Sequence, residues 1–231
     1  MSLKGVTFDI WETILVDGSD EPKRSAQGMR SKSDERRHLF WSVLDDQAPL
    51  DKAISDAAFH SQEAAFRKVW HGMNVTWEVA DRIDILLDGL NRNLPRNVRE
   101  ELIAKFEEME LRVPPDMIDG ARDAIAELAS RYDLCIISDT IYTPGRGLRD
   151  LLTHHGVAQY FKGFVFSDQV GRSKPDPDCF HSAATQLGLD FPEKASEYSA
   201  DKVFNEEGLF IADYHGAELD FEFNGHAHVE K

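Results

Sequence analysis

Asp9 closes the short apolar run Val6-Thr7-Phe8, and Thr13 follows it four residues later. A strand that ends on a carboxylate carries it to the carboxyl edge of a parallel sheet, where open α/β folds place their ligands. Two further apolar runs, Leu134-Cys135-Ile136-Ile137 and Phe164-Val165-Phe166, end on Ser138-Asp139 and Ser167-Asp168, and Lys174 then precedes Pro175-Asp176-Pro177. These residue types suit covalent hydrolysis. A carboxylate such as Asp9 can attack phosphorus, or a carbon bearing a leaving group, and divide one hard step into two. Lys174 would keep that carboxylate ionised and offset charge on the substrate. Ser138 and loop amides would donate to the oxygens of the bound group, while Thr13 suits both the loop and the chemistry. Each residue also has a plainer reading: Asp9 and Ser138 as turn caps, Lys174 as a surface lysine before a Pro-Asp-Pro turn.

The elements that must hold these residues alternate between strand and helix. Residues 17–33 are polar, with Gly and Ser and no periodicity, and read as a loop leaving the first strand. From Ser33 to about Arg112 apolar residues recur at helical spacing, enough for about four helices. Their starts are signalled by Ser33 or Asp34, by Thr76, and by Asn97 with Glu100 three residues on. Pro114-Pro115 closes this region, and the chain re-enters the first domain near Gly120. Helices over 121–131, 146–155 and 177–187 then alternate with the strands, the last two stopped by Gly156 and Gly188. A further helix is expected after Asp201 as far as His215, capped by Gly216, and a last strand over 219–223. The expected fold is α/β: a Rossmann-like doubly wound parallel sheet formed by 1–17 and 120–231, with an inserted all-helical cap over 18–119.

Composition narrows the partners. The chain has 231 residues, 42% of them hydrophobic, which suffices for one sizeable core or a core and a smaller lobe. Its 42 acidic against 26 basic residues give a formal charge of −16, which repels nucleic acid and anionic membranes. An anionic small-molecule substrate therefore needs local cations or a metal at its site. Cys135 and Cys179 have neither CxxC spacing nor a disulfide pattern, and both are expected to be reduced and buried. No stretch reads as a signal peptide or a membrane span, so a cytoplasmic location is expected. The oligomeric state is left open.

Four motifs in order, FDIWET at Asp9, IISDT at Ser138, GRSKPDPDCF at Lys174 and SADKVFNE at Asp201, resemble those of the haloacid dehalogenase-like hydrolase superfamily over essentially the whole chain. The resemblance implies that Asp9 is the nucleophile, Ser138 the hydroxyl that binds the transferred group, and Lys174 the lysine that steadies both. With Thr13 these form the expected catalytic set, and Trp11, Ser138, Asp139 and Lys174 the expected substrate contacts. Asp201 and Glu206 match the family's acidic pair. Asp9 and Asp201, with the backbone carbonyl of Trp11, would make an all-oxygen site suited to Mg²⁺. Phosphate-monoester hydrolysis is the first expectation.

Two departures leave alternatives standing. Family phosphatases carry a second Asp two residues after the nucleophile to protonate the leaving oxygen, whereas this chain has Trp11. An aromatic there is similar to the haloacid dehalogenases, whose halide leaves without a proton. A member with weakened catalysis that binds without turnover is the third alternative. In the fourth motif Ala200 replaces a glycine, and Asp213, after Leu209-Phe210-Ile211-Ala212, rivals Asp201. His154, His155, His226 and His228 receive no ligand role; Trp41, Trp70 and Trp77 read as cap core, and Arg36, Arg37, Arg67 and Lys68 as solvated helix faces.

Overall fold

The computed structural model describes residues 4–189, 209–212, 219–220 and 228–229. After β1 (Gly5–Phe8) come helices α1 (Asp20–Ala26), α2 (Lys32–Gln47), α3 (Lys52–Met73), α4 (Val79–Gly89), α5 (Arg96–Glu107) and α6 (Met109–Arg112). The chain continues through α7 (Ala121–Ala129), β2 (Asp133–Ser138), α8 (Gly145–His154), β3 (Phe161–Phe166), α9 (Ser167–Val170) and α10 (Pro177–Leu187). Strands β4 (Leu209–Ala212), β5 (Leu219–Asp220) and β6 (His228–Val229) follow.

Strands β1 to β4 form one sheet in the order β3-β2-β1-β4, every pair parallel. Phe8 stands opposite Ile136 of β2 and Ala212 of β4, so β1 is central and the chain beyond it emerges in the middle of the sheet's carboxyl edge. Successive residues of β2 point to opposite faces, and both faces are covered. Leu134 and Ile136 pack with Val6, Phe8, Ile125 and Leu148 on one side. Cys135 and Ile137 pack with Val165, Phe180, Ala183 and Leu187 of α10 on the other. The expected doubly wound α/β sheet is thus found.

Helices α2 to α5 enclose a separate core built on Phe40, Leu44, Phe59, Ile83, Leu86, Leu102 and Phe106. Burying each such side chain stabilises by roughly 1.5–3 kcal/mol, which holds this lobe together despite its polar surface. Tyr142, from the loop after β2, packs against it and joins lobe to sheet.

Some expectations fail, each for a tertiary reason. The stretch read as loop holds α1, whose Asp20 and Arg24 are buried. This helix has no apolar stripe because polar bonds anchor it: Lys32 Nζ lies 2.8 Å from Asp20, and Arg24 Nε donates to the Arg30 carbonyl at 3.1 Å. Leu209–Ala212 falls in the stretch expected to be helical as far as His215, but it is a strand, as the strand-like apolar run before Asp213 allowed, because β1 needs a partner on its second edge. Ser31, not Ser33 or Asp34, caps α2. Thr76 caps nothing; its hydroxyl bonds Ser167 and Ser173. Pro95 precedes α5, and no capping box forms there. Among the described residues no helix is long and apolar enough to cross a membrane.

Candidate active site

The turn after β1 is tight: the Ile10 carbonyl accepts from both Ile14 N (2.8 Å) and Leu15 N (2.9 Å), and Glu12 takes a left-handed φ of 55°. This geometry holds Asp9 at the sheet edge. Its Oδ1 accepts from Ile10 N at 2.7 Å, and its Oδ2 lies 2.9 Å from Lys174 Nζ. The two side chains are only 12% and 11% exposed, so the ion pair is largely withdrawn from water and Lys174 is no surface lysine.

Asp139, just beyond β2, fixes the loop that brings Lys174 in. Its Oδ1 accepts from Lys174 N at 3.0 Å, and its Oδ2 from the indole N–H of Trp70 at 3.2 Å. Burial pushes the Asp139 carboxyl above its ordinary range, against the opposing pull of the Lys174 amide, the Lys174 charge and Trp70. The superficially similar Ser167-Asp168 is structural: Ser167 Oγ accepts from Thr140 N and Asp168 from Gly145 N, bracing the loop after β2.

A cavity of about 670 Å³ opens above this edge, lined from the sheet side by Asp9, Trp11, Asp139, Tyr142 and Lys174. From the helical lobe come Lys32, Arg36, Trp70, Asn74 and Glu110. The lobe is tied to the sheet domain beside the cavity, where Ser173 N donates to the Asn74 carbonyl at 2.8 Å. Lys32 is pinned between Asp20 (2.8 Å) and Glu110 (3.0 Å). Burial alone would lower its pKa, but Glu110 and Asp20 outweigh it and the net shift is upward. Arg36 stacks on Tyr142, its guanidinium carbon 3.5 Å from the ring centroid.

Of the residues singled out in the sequence, Asp9, Trp11, Asp139 and Lys174 therefore share one cavity. Ser138 is buried, its Oγ 3.4 Å from the Asp139 carbonyl, and does not form part of the wall. Thr13 Oγ1 is buried with no hydrogen-bond partner among the described residues. Asp201, Glu206 and Asp213 lie outside the described residues. Trp70 and Arg36 change role: Trp70 is a wall of the site as well as a ring stacked on Phe66, and Arg36 is 6% exposed, not a solvated face. Neither role has a local sequence signal, since each depends on a partner (Asp139, Tyr142) far along the chain.

Fold and site together define an α/β protein with a carboxylate–ammonium pair at the carboxyl edge of its sheet. The chain matches the haloacid dehalogenase-like hydrolase family over residues 3–195 and belongs to it. Among solved structures it is similar to a HAD phosphatase from Thermococcus onnurineus, with 21% identity and a TM-score of 0.49 over 81% of this chain and 73% of that one. It is also similar to magnesium-bound YfnB from Bacillus subtilis (19%, 0.46, 91% and 78%). The L-2-haloacid dehalogenase of Xanthobacter autotrophicus is a further structural match (14%, 0.41, 81% and 66%). No curated protein matches the chain in sequence.

Proposed function

We propose that the protein hydrolyses a phosphate monoester of a small anionic metabolite, with Asp9 as nucleophile and residues 18–119 as a cap over the site. The observation that carries this reading is the withdrawn Asp9–Lys174 pair at 2.9 Å facing the cavity. An Asp9 oxygen attacks phosphorus, the ester P–O bond breaks, and the alkoxide leaves and takes a proton from solvent; water then attacks the aspartyl phosphate, gives a proton back to solvent, and releases inorganic phosphate and the free carboxylate. Lys174 holds the nucleophile ionised and offsets the phosphoryl charge, and Asp139 keeps the Lys174 loop in place.

Mg²⁺ is the proposed cofactor. Asp9 and the Trp11 carbonyl are oxygen donors of the kind it prefers, and bound there it would neutralise and orient the phosphoryl oxygens. Among the described residues no three His, Cys, Asp or Glu side chains cluster at a metal-binding spacing, and Asp201 and Asp213, the two candidates for a second carboxylate, lie outside them. Asp213 follows Ala212 as Asp9 follows Phe8, and the parallel register of Phe8 with Ala212 favours Asp213 over Asp201.

Dehalogenation of a small 2-haloacid is the second reading, favoured by Trp11, which lines the cavity without offering a proton. A screen of the purified protein against phosphomonoesters and 2-haloacids, with and without Mg²⁺, separates the two. Mg²⁺-dependent phosphate release supports the first reading, halide release the second, and neither would reject both.

A further inference from the structure

Strand β3 ends one side of the sheet: among the described residues it pairs with β2 alone, so its other edge faces outward. Such an edge presents main-chain N–H and C=O groups to any extended segment that can pair with them, and a second copy of the same chain is the partner always at hand. Lys162 does not guard this edge. It is the extra residue of a bulge, between Phe161 opposite Leu134 and Gly163 opposite Cys135, and its ammonium is paired back to Asp133 at the start of β2.

The edge is occupied instead by a side chain. Gln186, near the end of α10, lays its amide along Phe164: Oε1 accepts from Phe164 N at 2.8 Å, and Nε2 donates to the Phe164 carbonyl at 3.1 Å. The N–H and C=O of one strand residue point to the same side, so these two bonds mark Phe164 as the outward-facing residue and fill both of its groups. The Ser182 hydroxyl, one turn back on α10, lies 3.5 Å from Nε2 and accepts from it too. Gly163 makes room for this contact, since a Cβ there would lie 3.1 Å from the Cβ and Oε1 of Gln186 and 2.7 Å from Cys135 Sγ. Two copies paired antiparallel about Phe164 would exchange the same two bonds, the N–H of each Phe164 donating to the carbonyl of the other. In that register Lys162 of one copy stands opposite Phe166 of the other, so the lysines do not meet. We propose that the Gln186 amide takes the place of a neighbouring strand and so keeps the chain from joining a second copy through β3. This does not depend on hydrolysis at Asp9.

Gln186 is exposed, so Gln186→Ala and Gln186→Ser remove the amide with little disturbance of the core. Sedimentation velocity over a range of protein concentrations compares both with wild type, at an ionic strength that screens the formal charge of −16 on each copy. Self-association at least about tenfold tighter than that of wild type is expected in both variants. Hydrogen exchange locates it. The Phe164 amide should be protected at every concentration in wild type, exchange about tenfold or more faster in the dilute variants, and regain protection as they associate. Equal association in all three proteins overturns the proposal. So does association that leaves the Phe164 amide exchanging freely, because another surface then joins the copies, and so does a wild type whose Phe164 amide gains protection with concentration. Should one variant not stay folded, the other carries both measurements.

Discussion

Trp70 of α3 donates its indole N–H to Asp139 at 3.2 Å, and the other oxygen of that carboxylate holds the amide of Lys174 at 3.0 Å. A residue of the helical lobe is therefore two hydrogen bonds, through a single carboxylate, from the loop that carries Lys174. Trp70→Phe keeps an aromatic ring beside Phe66 and deletes the donor. Loss of a hydrogen bond to a charged group is worth about 1.5–3 kcal/mol, so kcat/KM is expected to fall roughly tenfold or more. Unchanged kcat/KM would show that the contact does not position Lys174.

Asp139 should leave a pH signature. Because its folded pKa is raised by burial, the ionised form costs stability at neutral pH, and that cost is relieved as pH falls through the folded pKa towards 3.8. Asp139→Asn has no such cost, so its melting temperature relative to wild type should be highest near pH 7 and decline on acidification. Thermal scans from pH 7 to 4 test this; a constant difference would mean that the carboxyl is not strained by burial.

Asp9→Asn should keep the fold and abolish turnover, because an amide has nearly the same shape and cannot attack. Lys174→Ala is expected to lower kcat by about a thousandfold, the scale seen when one preorganised electrostatic group is deleted. It should also lower stability, since it strips a 12%-exposed carboxylate of its partner. Single-turnover kinetics and thermal scans on the same preparations check both; near wild-type rates in either variant would reject the role assigned to it.

If Mg²⁺ binds at the sheet edge, it should raise the melting temperature by preferential binding to the native state. Asp213→Asn is expected to reduce that shift and Asp201→Asn to leave it. The opposite pattern would place the second carboxylate at Asp201.

Trp11 offers no proton to a leaving oxygen. Aryl phosphates should therefore be hydrolysed much faster than alkyl phosphates, and Trp11→Asp should narrow the gap, since general-acid help is typically worth about 10²–10⁴-fold. The substitution should also destabilise, because Trp11 packs against the sheet core. A wild-type enzyme indifferent to the leaving group would mean that another side chain supplies the proton.

The sheet was readable because β1, β2 and β3 are apolar runs stopped by an acid or hydroxyl; Asp9 could be singled out because it closes such a run, and Lys174 because GRSKPDPDCF resembles a family motif. What escaped was whatever a distant partner decides. Helix α1 is polar throughout, and its Asp20 becomes a core residue only because Lys32 and Glu110 meet beside it. Leu209–Ala212 could be read as a strand-like run or as part of a helix to His215, and the open edge of β1 decides for the strand. Arg36 looks in sequence like any charged helix face, and Trp70 like any aromatic of a helical lobe.

The strand order has a kinetic consequence. Strand β1 is made before its neighbours in the sheet, which begin at Asp133 and Leu209, so the segment bearing Asp9 waits unpaired until they emerge. Loop closure over such separations is slow, and an unpaired apolar strand is open to wrong pairings in the interval. The helical lobe, whose contacts are local, can form on the emerging chain well before that. Maturation of this protein should therefore proceed from the helical lobe inward, with the sheet edge that carries Asp9 the last part to be assembled and the first to be lost when the segment bearing β4 is cut away.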